Sequence, residues 1–299
     1  MQVSPADSVI GFIGLGVMGK SMAGHILSAG YRLNVFNRTR SKADELVERG
    51  AVWHDSVGEL ARNSDVVITI VGYPKDVEEL YLAADGIVAG CRSGSFLIDM
   101  TTSRPSLARR IHEAAKRRSA HSLDAPVSGG DIGARDGRLS IMVGGEEEDL
   151  QAVLPVLRTM GSNITLQGGP GAGQHTKLCN QIAIASTMIG LCEALSYAQK
   201  AGLSLDLVLQ AMGAGAAQSS ALNNLGPRIL KGDFAPGFYV RHFIKDMNIA
   251  IEEASDMGLD PRGLKLAKQL YEELAREPGG EELGTQGLFK LFARELSRS

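Results

Sequence analysis

The sequence predicts an α/β protein with a doubly wound, mostly parallel sheet, followed by an all-helical second domain. Three observations lead to this fold class. Short β-rich runs alternate with helical patterns through the first half of the 299 residues, which is typical of an open sheet covered on both faces. A glycine-rich turn at residues 14–19 joins the first strand to the first helix. After Gly168 the strand signal almost disappears, so we predict domains at 1–166 and 167–299.

The elements of the first half follow from apolar runs and the residues that interrupt them. Residues 66–71, VVITIV, form a continuous run that is typical of a central parallel strand buried on both faces. Pro105 opens a predicted helix that continues to about Arg118. The other predicted strands are Val9–Gly14, Leu33–Phe36, Phe96–Met100, Ser122–Ala125, Ser140–Val143 and Asn163–Leu166, and the other predicted helices are Met18–Ser28, one starting near Ser41, and Glu146–Met160.

The second half begins with a glycine-rich joint, QGGPGAGQ, at residues 167–174. From Thr176 onward, apolar and small residues recur at steps of three and four positions, which predicts one long helix with a continuous buried stripe. That stripe contains Leu178, Ile182, Ala185, Ile189, Cys192 and Ser196. Further helices are predicted at Leu205–Met212, Leu222–Leu230, Ile244–Asp256, Arg262–Ala275 and Gln286–Leu296.

Composition excludes several functional classes. The formal charge of −3 leaves no basic surplus for a nucleic-acid partner. Three cysteines without a C-x-x-C spacing argue against a disulfide framework or a zinc site, and we predict no metal. The N-terminus has neither the basic region nor the apolar core of a signal peptide. The uncharged stretch at 178–192 is too short and polar to cross a bilayer about 30 Å thick. We therefore expect a cytoplasmic protein that binds no membrane.

The turn after the first strand has the spacing G-x-G-x-x-G and leads into a helix, which is the context that binds a dinucleotide. The first glycine permits a tight turn, the second lets the backbone approach the pyrophosphate, and the third lets the helix pack closely on the strand. The N-terminus of the helix then faces the phosphates. The predicted cofactor-binding residues of this turn are Gly14, Leu15, Gly16, Val17, Met18 and Gly19.

The end of the second strand indicates which dinucleotide binds. NAD is usually held by an acidic residue about 20 positions past the motif, which accepts hydrogen bonds from the ribose hydroxyls. Here the chain has Asn37, Arg38 and Thr39. The uncharged Asn37 does not repel a 2′-phosphate, the guanidinium can bind it in a bidentate way, and the hydroxyl can assist. NADP(H) is therefore favoured over NAD(H); the alternative is that Arg38 is only a solvated residue at the entrance of a helix.

Five segments, in this order and spacing, resemble the β-hydroxyacid dehydrogenases. That family includes 3-hydroxyisobutyrate dehydrogenase, tartronate semialdehyde reductase and plant-type glyoxylate/succinic semialdehyde reductases. The likeness covers nearly the whole chain. It rests on GFIGLGVMG at 11–19, DMTT at 99–102, DAPVSGG at 124–130, GAGQHTKLCNQ at 171–181 and FIKDM at 243–247.

The resemblance implies roles for individual residues. Lys177 would be the general acid/base, and Phe238 would line the substrate pocket. Asp246 would hold the lysines or the helix in place. The substrate carboxylate would bind at Ser128, Gly129 and Gly130, where a hydroxyl and successive N–H groups can form a concavity for an anion. The remaining cofactor contacts would be Val71, Gly72, Thr102 and Lys245.

A carboxamide near the lysine would orient the substrate, and two residues qualify. At 100° per residue, Asn180 and Gln181 lie 60° and 40° from Lys177 around a helix, so all three share a face. Several relatives carry Asn four residues after the lysine, whereas this chain has Gln181 there and Asn180 one position earlier. Either side chain could reach a substrate hydroxyl.

The predicted function is reversible hydride transfer between NADP(H) and a small carboxylate-bearing substrate, of the 3-hydroxyisobutyrate, glyoxylate or succinic semialdehyde type. We expect a homodimer or homotetramer by analogy with the family. Three alternatives remain open. A phosphogluconate-type dehydrogenase would need a longer helical tail. Imine reductases typically lack a lysine at this position, and non-catalytic NADP-binding scaffolds have lost it.

Overall fold

The computed structural model describes residues 2–297, with side chains described as far as residue 294. The chain divides into two compact units between Lys177 and Leu178. The predicted fold class is confirmed: a mixed α/β sheet with Rossmann-type strand order is followed by a helical C-terminal region.

Unit 1 is built on one nine-stranded sheet. The strands are β1 Val9–Ile13, β2 Arg32–Phe36, β3 Val52–Trp53, β4 Val66–Thr69, β5 Phe96–Asp99, β6 His121–Asp124, β7 Val127–Ser128, β8 Leu139–Gly144 and β9 Gly161–Gly168. Strands β3-β2-β1-β4-β5-β6 lie side by side in parallel, which is the order of dinucleotide-binding sheets. Beyond β6, the strand β8 runs antiparallel to both β6 and β7, and β9 pairs in parallel with β8.

Helices cover both faces of the sheet. They are α1 Gly19–Ser28, α2 Asp44–Glu48, α3 Val57–Arg62, α4 Pro74–Leu82, α5 Ile87–Gly90, α6 Pro105–Arg117, α7 Gly130–Arg135 and α8 Glu147–Leu157. Successive residues of β4 belong to different cores: Val66 and Ile68 pack in one cluster and Val67 in the other. Because side chains alternate across a strand, two separate cores require that both faces be covered.

Six elements of unit 1 were not predicted from the sequence: β3, β7, α3, α4, α5 and α7. Most of them are too short to show a period, since β3 and β7 have two residues each and α5 has four. The six-residue helix α3 begins where the Ser56 side chain accepts a hydrogen bond from the Glu59 N–H at 3.2 Å. Helix α4 has a sequence signal that the prediction missed: Pro74 stands at its first position, where proline is common.

Unit 2 contains only helices among its described residues, apart from an isolated β-bridge between Tyr239 and Gly284. Helix α9, Ala172–Lys200, begins in unit 1 and continues into unit 2, where α10 Leu205–Ala214, α11 Gly226–Leu230, α12 Val240–Asp256, α13 Arg262–Ala275 and α14 Phe289–Ser297 follow. The predicted helix at 222–230 is a π-helical turn, Ala221–Leu225, followed by α11. The predicted helix at 286–296 begins as a 3₁₀ turn before α14.

Helix α9 is longer and more apolar than the sequence indicated. It has 29 residues, and its most apolar 18-residue window has a mean hydropathy of 1.4, so its length and composition would allow it to cross a membrane. The prediction considered only the uncharged stretch 178–192. The same helix contributes Leu178, Ala185, Met188, Ile189, Leu191, Cys192 and Leu195 to the core of unit 2. Buried core helices commonly have this composition.

Candidate active site

The glycine-rich turn lies at the carboxyl end of β1 and has the backbone that the sequence predicted. Gly14 has a φ of +100°, and a Cβ there would collide with the Ile70 carbonyl oxygen. A Cβ on Gly19 would meet the Gly14 carbonyl oxygen, so the helix could not pack as closely on the turn. At Gly16 a Cβ would meet nothing within 4 Å. The backbone is therefore open at the one glycine where a pyrophosphate would approach, and the turn fits a dinucleotide.

Asn37 has a role that sequence reasoning did not predict. Its side-chain oxygen accepts a hydrogen bond from the Leu15 N–H at 2.9 Å, and its amide donates to the Thr39 carbonyl oxygen at 2.8 Å. The carboxamide thus fixes the glycine-rich turn to the loop after β2. Arg38 and Thr39 are exposed in that loop. The guanidinium of Arg40, which was also overlooked, lies 5.4 Å from the centre of the Trp53 ring.

The ends of β4 and β5 are joined by a buried network of hydrogen bonds. Asp99 Oδ1 accepts from the Thr69 hydroxyl at 2.9 Å and from the Thr101 N–H at 3.0 Å. The Thr101 hydroxyl oxygen accepts from the Val71 N–H at 2.9 Å. Burial raises the pKa of Asp99 to about 6, although these hydrogen bonds lower it. The loops that carry Val71, Gly72 and Thr102 are therefore held together at the carboxyl edge of the sheet.

The predicted carboxylate site follows β7. Ser128 ends the strand, and the next two residues have left-handed backbones, with φ of +132° at Gly129 and +63° at Gly130. Residues with side chains rarely adopt this pair of conformations, so both glycines are needed for the shape of the turn. Gly129 is exposed, while Ser128 and Gly130 are half-buried.

Lys177 is buried, with 7% of its surface exposed, on helix α9. The sequence placed it in the first helical turn. The helix begins earlier, at Ala172, so Lys177 lies in the second turn. The start of the helix is fixed by the Asp124 carboxylate, which accepts hydrogen bonds from the N–H groups of Gly171 at 2.7 Å and Gln174 at 2.8 Å. Sequence reasoning quoted Asp124 within a motif without giving it this role.

Unit 2 brings four of the predicted site residues together. The Gln181 amide donates to Asp246 Oδ2 at 2.6 Å, and the Asn180 amide donates to Gln181 Oε1 at 2.8 Å. Lys245 Nζ lies 2.9 Å from Asp246 Oδ1. Gln181 and Asp246 are completely buried, whereas Asn180 is half-buried. The Gln181 carboxamide is thus engaged on both its oxygen and its nitrogen within the protein.

The aromatic residue predicted to line the pocket, Phe238, is half-buried beside the core of unit 2. Its ring centre lies 5.8 Å from that of Phe243 and 6.5 Å from that of His242. Burial, followed by the nearby Lys245 and Arg241, lowers the pKa of His242. His242 is one helical turn before Lys245 and had received no role from the sequence.

A G-x-G-x-x-G turn on a sheet of this strand order defines a dinucleotide-binding protein. Two family models match the chain: the NAD binding domain of 6-phosphogluconate dehydrogenase at residues 9–169, and the NAD-binding domain of NADP-dependent 3-hydroxyisobutyrate dehydrogenase at residues 171–292. The chain belongs to the β-hydroxyacid dehydrogenase family.

Relatives match over almost their full lengths. An uncharacterized oxidoreductase of Bacillus subtilis is 57% identical, over 95% of this chain and 99% of its own. A probable 3-hydroxyisobutyrate dehydrogenase-like protein of Arabidopsis thaliana is 50% identical, over 98% and 87%. The structure of Mycobacterium tuberculosis 3-hydroxyisobutyrate dehydrogenase with L-serine is 30% identical, with a TM-score of 0.86 over 95% of this chain and 98% of that one. Imine reductase structures, at 16–20% identity and TM-scores of 0.61–0.64, share only the fold. The protein is therefore an NAD(P)-dependent oxidoreductase of the hydroxyacid dehydrogenase type.

Proposed function

We propose that this protein catalyses reversible hydride transfer between NADP(H) and a small carboxylate-bearing hydroxy acid/semialdehyde pair. The pair is of the 3-hydroxyisobutyrate, glyoxylate or succinic semialdehyde type. The observation that carries the proposal is a buried lysine, Lys177, on the helix that leaves the dinucleotide-binding unit. Burial removes the ammonium group of Lys177 from bulk solvent, which favours its neutral form, and the resemblance to the family gives this position an acid/base role.

The preference for NADP(H) is supported by the loop after β2. Asn37 uses its carboxamide within the protein and adds no negative charge, while Arg38 is exposed beside Thr39. Arg40 offers a second guanidinium two residues further on. A 2′-phosphate would therefore meet cationic donors and no carboxylate on residues 37–40.

The proton is handled by the chain's own residues. A bound nicotinamide supplies or accepts the hydride. Ser128, Gly129 and Gly130 hold the substrate carboxylate, so that the carbonyl carbon has a fixed orientation. Lys177 Nζ donates a proton to the carbonyl oxygen during reduction, and takes the hydroxyl proton in the reverse direction. Asn180 is the carboxamide we assign to the substrate, because Gln181 is fully buried and bonded to Asp246.

A substrate panel tests the reaction class. The purified protein is given NADPH with glyoxylate, succinic semialdehyde, methylmalonate semialdehyde, tartronate semialdehyde or a cyclic imine. We expect turnover with one or more of the aldehydes and none with the imine. Reduction of the imine alone would favour an imine reductase, and NADPH binding without any turnover would favour a non-catalytic scaffold.

The role of Lys177 is tested by Lys177→Ala. We expect kcat to fall by about 10²- to 10⁴-fold, the range for loss of a general acid/base, while the Kd of NADPH stays close to that of the wild type. The matched control is Lys200→Ala, which removes an exposed lysine from the last turn of the same helix. Full turnover by Lys177→Ala would contradict the mechanism.

A further inference from the structure

Gln174 lies three residues before Lys177 on helix α9 and is completely buried. Its carboxamide binds the backbone of the loop after β5 at two points. The Ser103 N–H donates to its Oε1 at 2.8 Å, and its Nε2 donates to the Thr101 carbonyl oxygen at 2.7 Å. These two backbone groups belong to the residues on either side of Thr102. One side chain therefore joins the Thr102 loop to the helix that carries Lys177.

The two ends of this connection are held in place by other groups. On the helix side, the Asp124 carboxylate accepts from the backbone N–H of Gln174 itself at 2.8 Å. On the loop side, Thr101 is bonded to Asp99 through its N–H and to the Val71 N–H through its hydroxyl oxygen. The carboxamide thus adds a direct link between a loop and a helix that are otherwise anchored through two neighbouring strands, β5 and β6.

We infer that Gln174 is a positioning residue that sets the location of Lys177 relative to the Thr102 loop. This inference rests on the proposed function, in which Lys177 exchanges the proton, and on the cofactor contact that the resemblance implies for Thr102. Residues at positions i and i+3 lie on one side of a helix with an axial rise of about 4.5 Å, so displacement of Gln174 displaces Lys177. Because a misplacement of about 1 Å can cost 10²-fold in rate, a lost connection affects hydride transfer more than cofactor binding.

Gln174→Glu tests the connection with almost no change of shape. An ionised carboxylate can still accept from the Ser103 N–H but cannot donate to the Thr101 carbonyl oxygen, whereas a protonated carboxyl can do both. We expect the single-turnover rate of NADPH oxidation at pH 8 to be about 10- to 100-fold below that of the wild type. The ratio of variant to wild-type rate then rises as the pH falls to 5.5. Asp99, Asp124, His175 and Lys177 are present in both proteins, so the ratio removes the titration that these groups show without a carboxylate at position 174. The Gln174→Leu variant, which has no carboxyl there, shows whether the remaining pH dependence comes from the new group.

The matched control is Gln286→Glu. Gln286 is also buried, and its amide donates to the carbonyl oxygens of Asp233 and Ala235 at 3.2 Å and 3.0 Å in unit 2. A glutamate at position 286 loses the same kind of hydrogen bond to a backbone carbonyl oxygen. The thermal stability of the Gln286→Glu variant should therefore fall about as much as that of Gln174→Glu. Its single-turnover rate and its kinetic isotope effect with 4-deuterated NADPH should match the wild type. The Gln174→Glu variant should instead show a larger isotope effect, a lower kcat and a nearly unchanged Kd for NADPH.

Gln174→Leu provides a readout that needs neither cofactor nor substrate. It removes the acceptor of the Ser103 N–H, so that amide should exchange with deuterium faster in the cofactor-free protein. The rate of the Gln174→Leu variant should not recover at low pH, because a leucine side chain cannot be protonated to become a hydrogen-bond donor. Unaltered exchange at Ser103 would contradict the connection itself.

The remaining outcomes separate the two proposals. A wild type that reduces none of the aldehydes contradicts the proposed function and this inference with it. If the wild type is active and the folded Gln174→Glu variant has the same rate, only the positioning role is contradicted. Equal losses of rate in Gln174→Glu and Gln286→Glu would show a merely structural effect. If Gln174→Leu fails to fold, the pH profile of Gln174→Glu still decides the question.

Discussion

Arg38 is the residue on which the choice of cofactor depends most directly. It is exposed at the carboxyl end of β2, where Asn37 supplies no negative charge. A hydrogen bond to a charged group contributes about 1.5–3 kcal/mol, so Arg38→Ala should lower the NADPH/NADH ratio of kcat/KM by about 10- to 100-fold. Arg32→Ala, at the opposite end of the same strand, should leave that ratio unchanged. The same ratio in wild type and Arg38→Ala would remove the basis for an NADP(H) preference.

Asp99 gives the stability of the sheet unit a defined pH dependence. Its pKa in the folded protein is raised to about 6 from an ordinary value of 3.8, mainly by burial. The folded state therefore binds this proton more tightly, and the contribution to stability is present below about pH 4 and lost as the pH rises through 6. Relative to Asp99→Asn, the wild type should lose on the order of 3 kcal/mol of unfolding free energy between pH 4 and pH 7.

Urea unfolding of the two proteins at several pH values measures this difference. The exposed Asp44→Asn serves as the control for the loss of one carboxylate from the surface. A constant gap between wild type and Asp99→Asn across this range would mean that Asp99 titrates normally. The carboxamide introduced by Asp99→Asn retains an acceptor for the Thr69 and Thr101 donors, so any pH-independent cost of the substitution appears equally at every pH.

Among the elements, helix α9 shows why a periodic pattern locates a helix better than it locates its end. The apolar stripe begins at Leu178, and the glycines at 171 and 173 favour a loop, so the sequence predicts a start near Thr176. In the folded protein, tertiary contacts start the helix earlier than this local preference predicts. Asp124 accepts two of the first N–H groups, and a Cβ on Gly173 would lie 2.7 Å from the Asp124 carbonyl oxygen. The glycine permits close packing rather than breaking the helix.

The predicted part of the fold consists of elements with strong local signals. Strand β4 is a continuous apolar run, and the glycine-rich turn has a fixed spacing, so both were identified correctly. The missed elements are short ones whose existence depends on neighbours. Strand β3, for example, has two residues and pairs only with β2. Local sequence carries no periodic signal for such an element.

The candidate site was also predictable from the sequence only in part. Motif spacing predicted candidate site residues, whose roles stay a prediction, but it did not predict which contacts hold them in place. Asn37 binds Leu15 across 22 positions, and Gln174 binds Ser103 across 71. A single sequence gives no information about which distant backbone groups a carboxamide will meet. These supporting contacts became identifiable only with the fold.

At the scale of the whole molecule, the surface of unit 2 carries a set of large apolar side chains. They lie at the end of α9, around the start of α10, in the turn between α12 and α13, and on α13 itself. The exposed side chains are Tyr197, Leu203, Leu207, Met257, Leu259 and Leu266. Along α9, Ala183, Ser186 and Gly190 form an exposed line of small residues that would permit close approach of another helix. A contiguous apolar patch on a protein surface commonly marks a contact with another protein.

We predict that this surface binds a second copy of the chain, as expected from the family. Light scattering coupled to size-exclusion chromatography should give a dimer or tetramer for the wild type. The double variant Tyr197→Glu/Leu203→Glu should shift the mass toward the monomer, because burying two carboxylates in an apolar interface costs more than the contact stabilises. Val47→Glu, which adds a charge to an exposed apolar position of unit 1, should leave the mass unchanged. The prediction would be wrong if the wild type were monomeric at micromolar concentration, or if the double variant kept the wild-type mass.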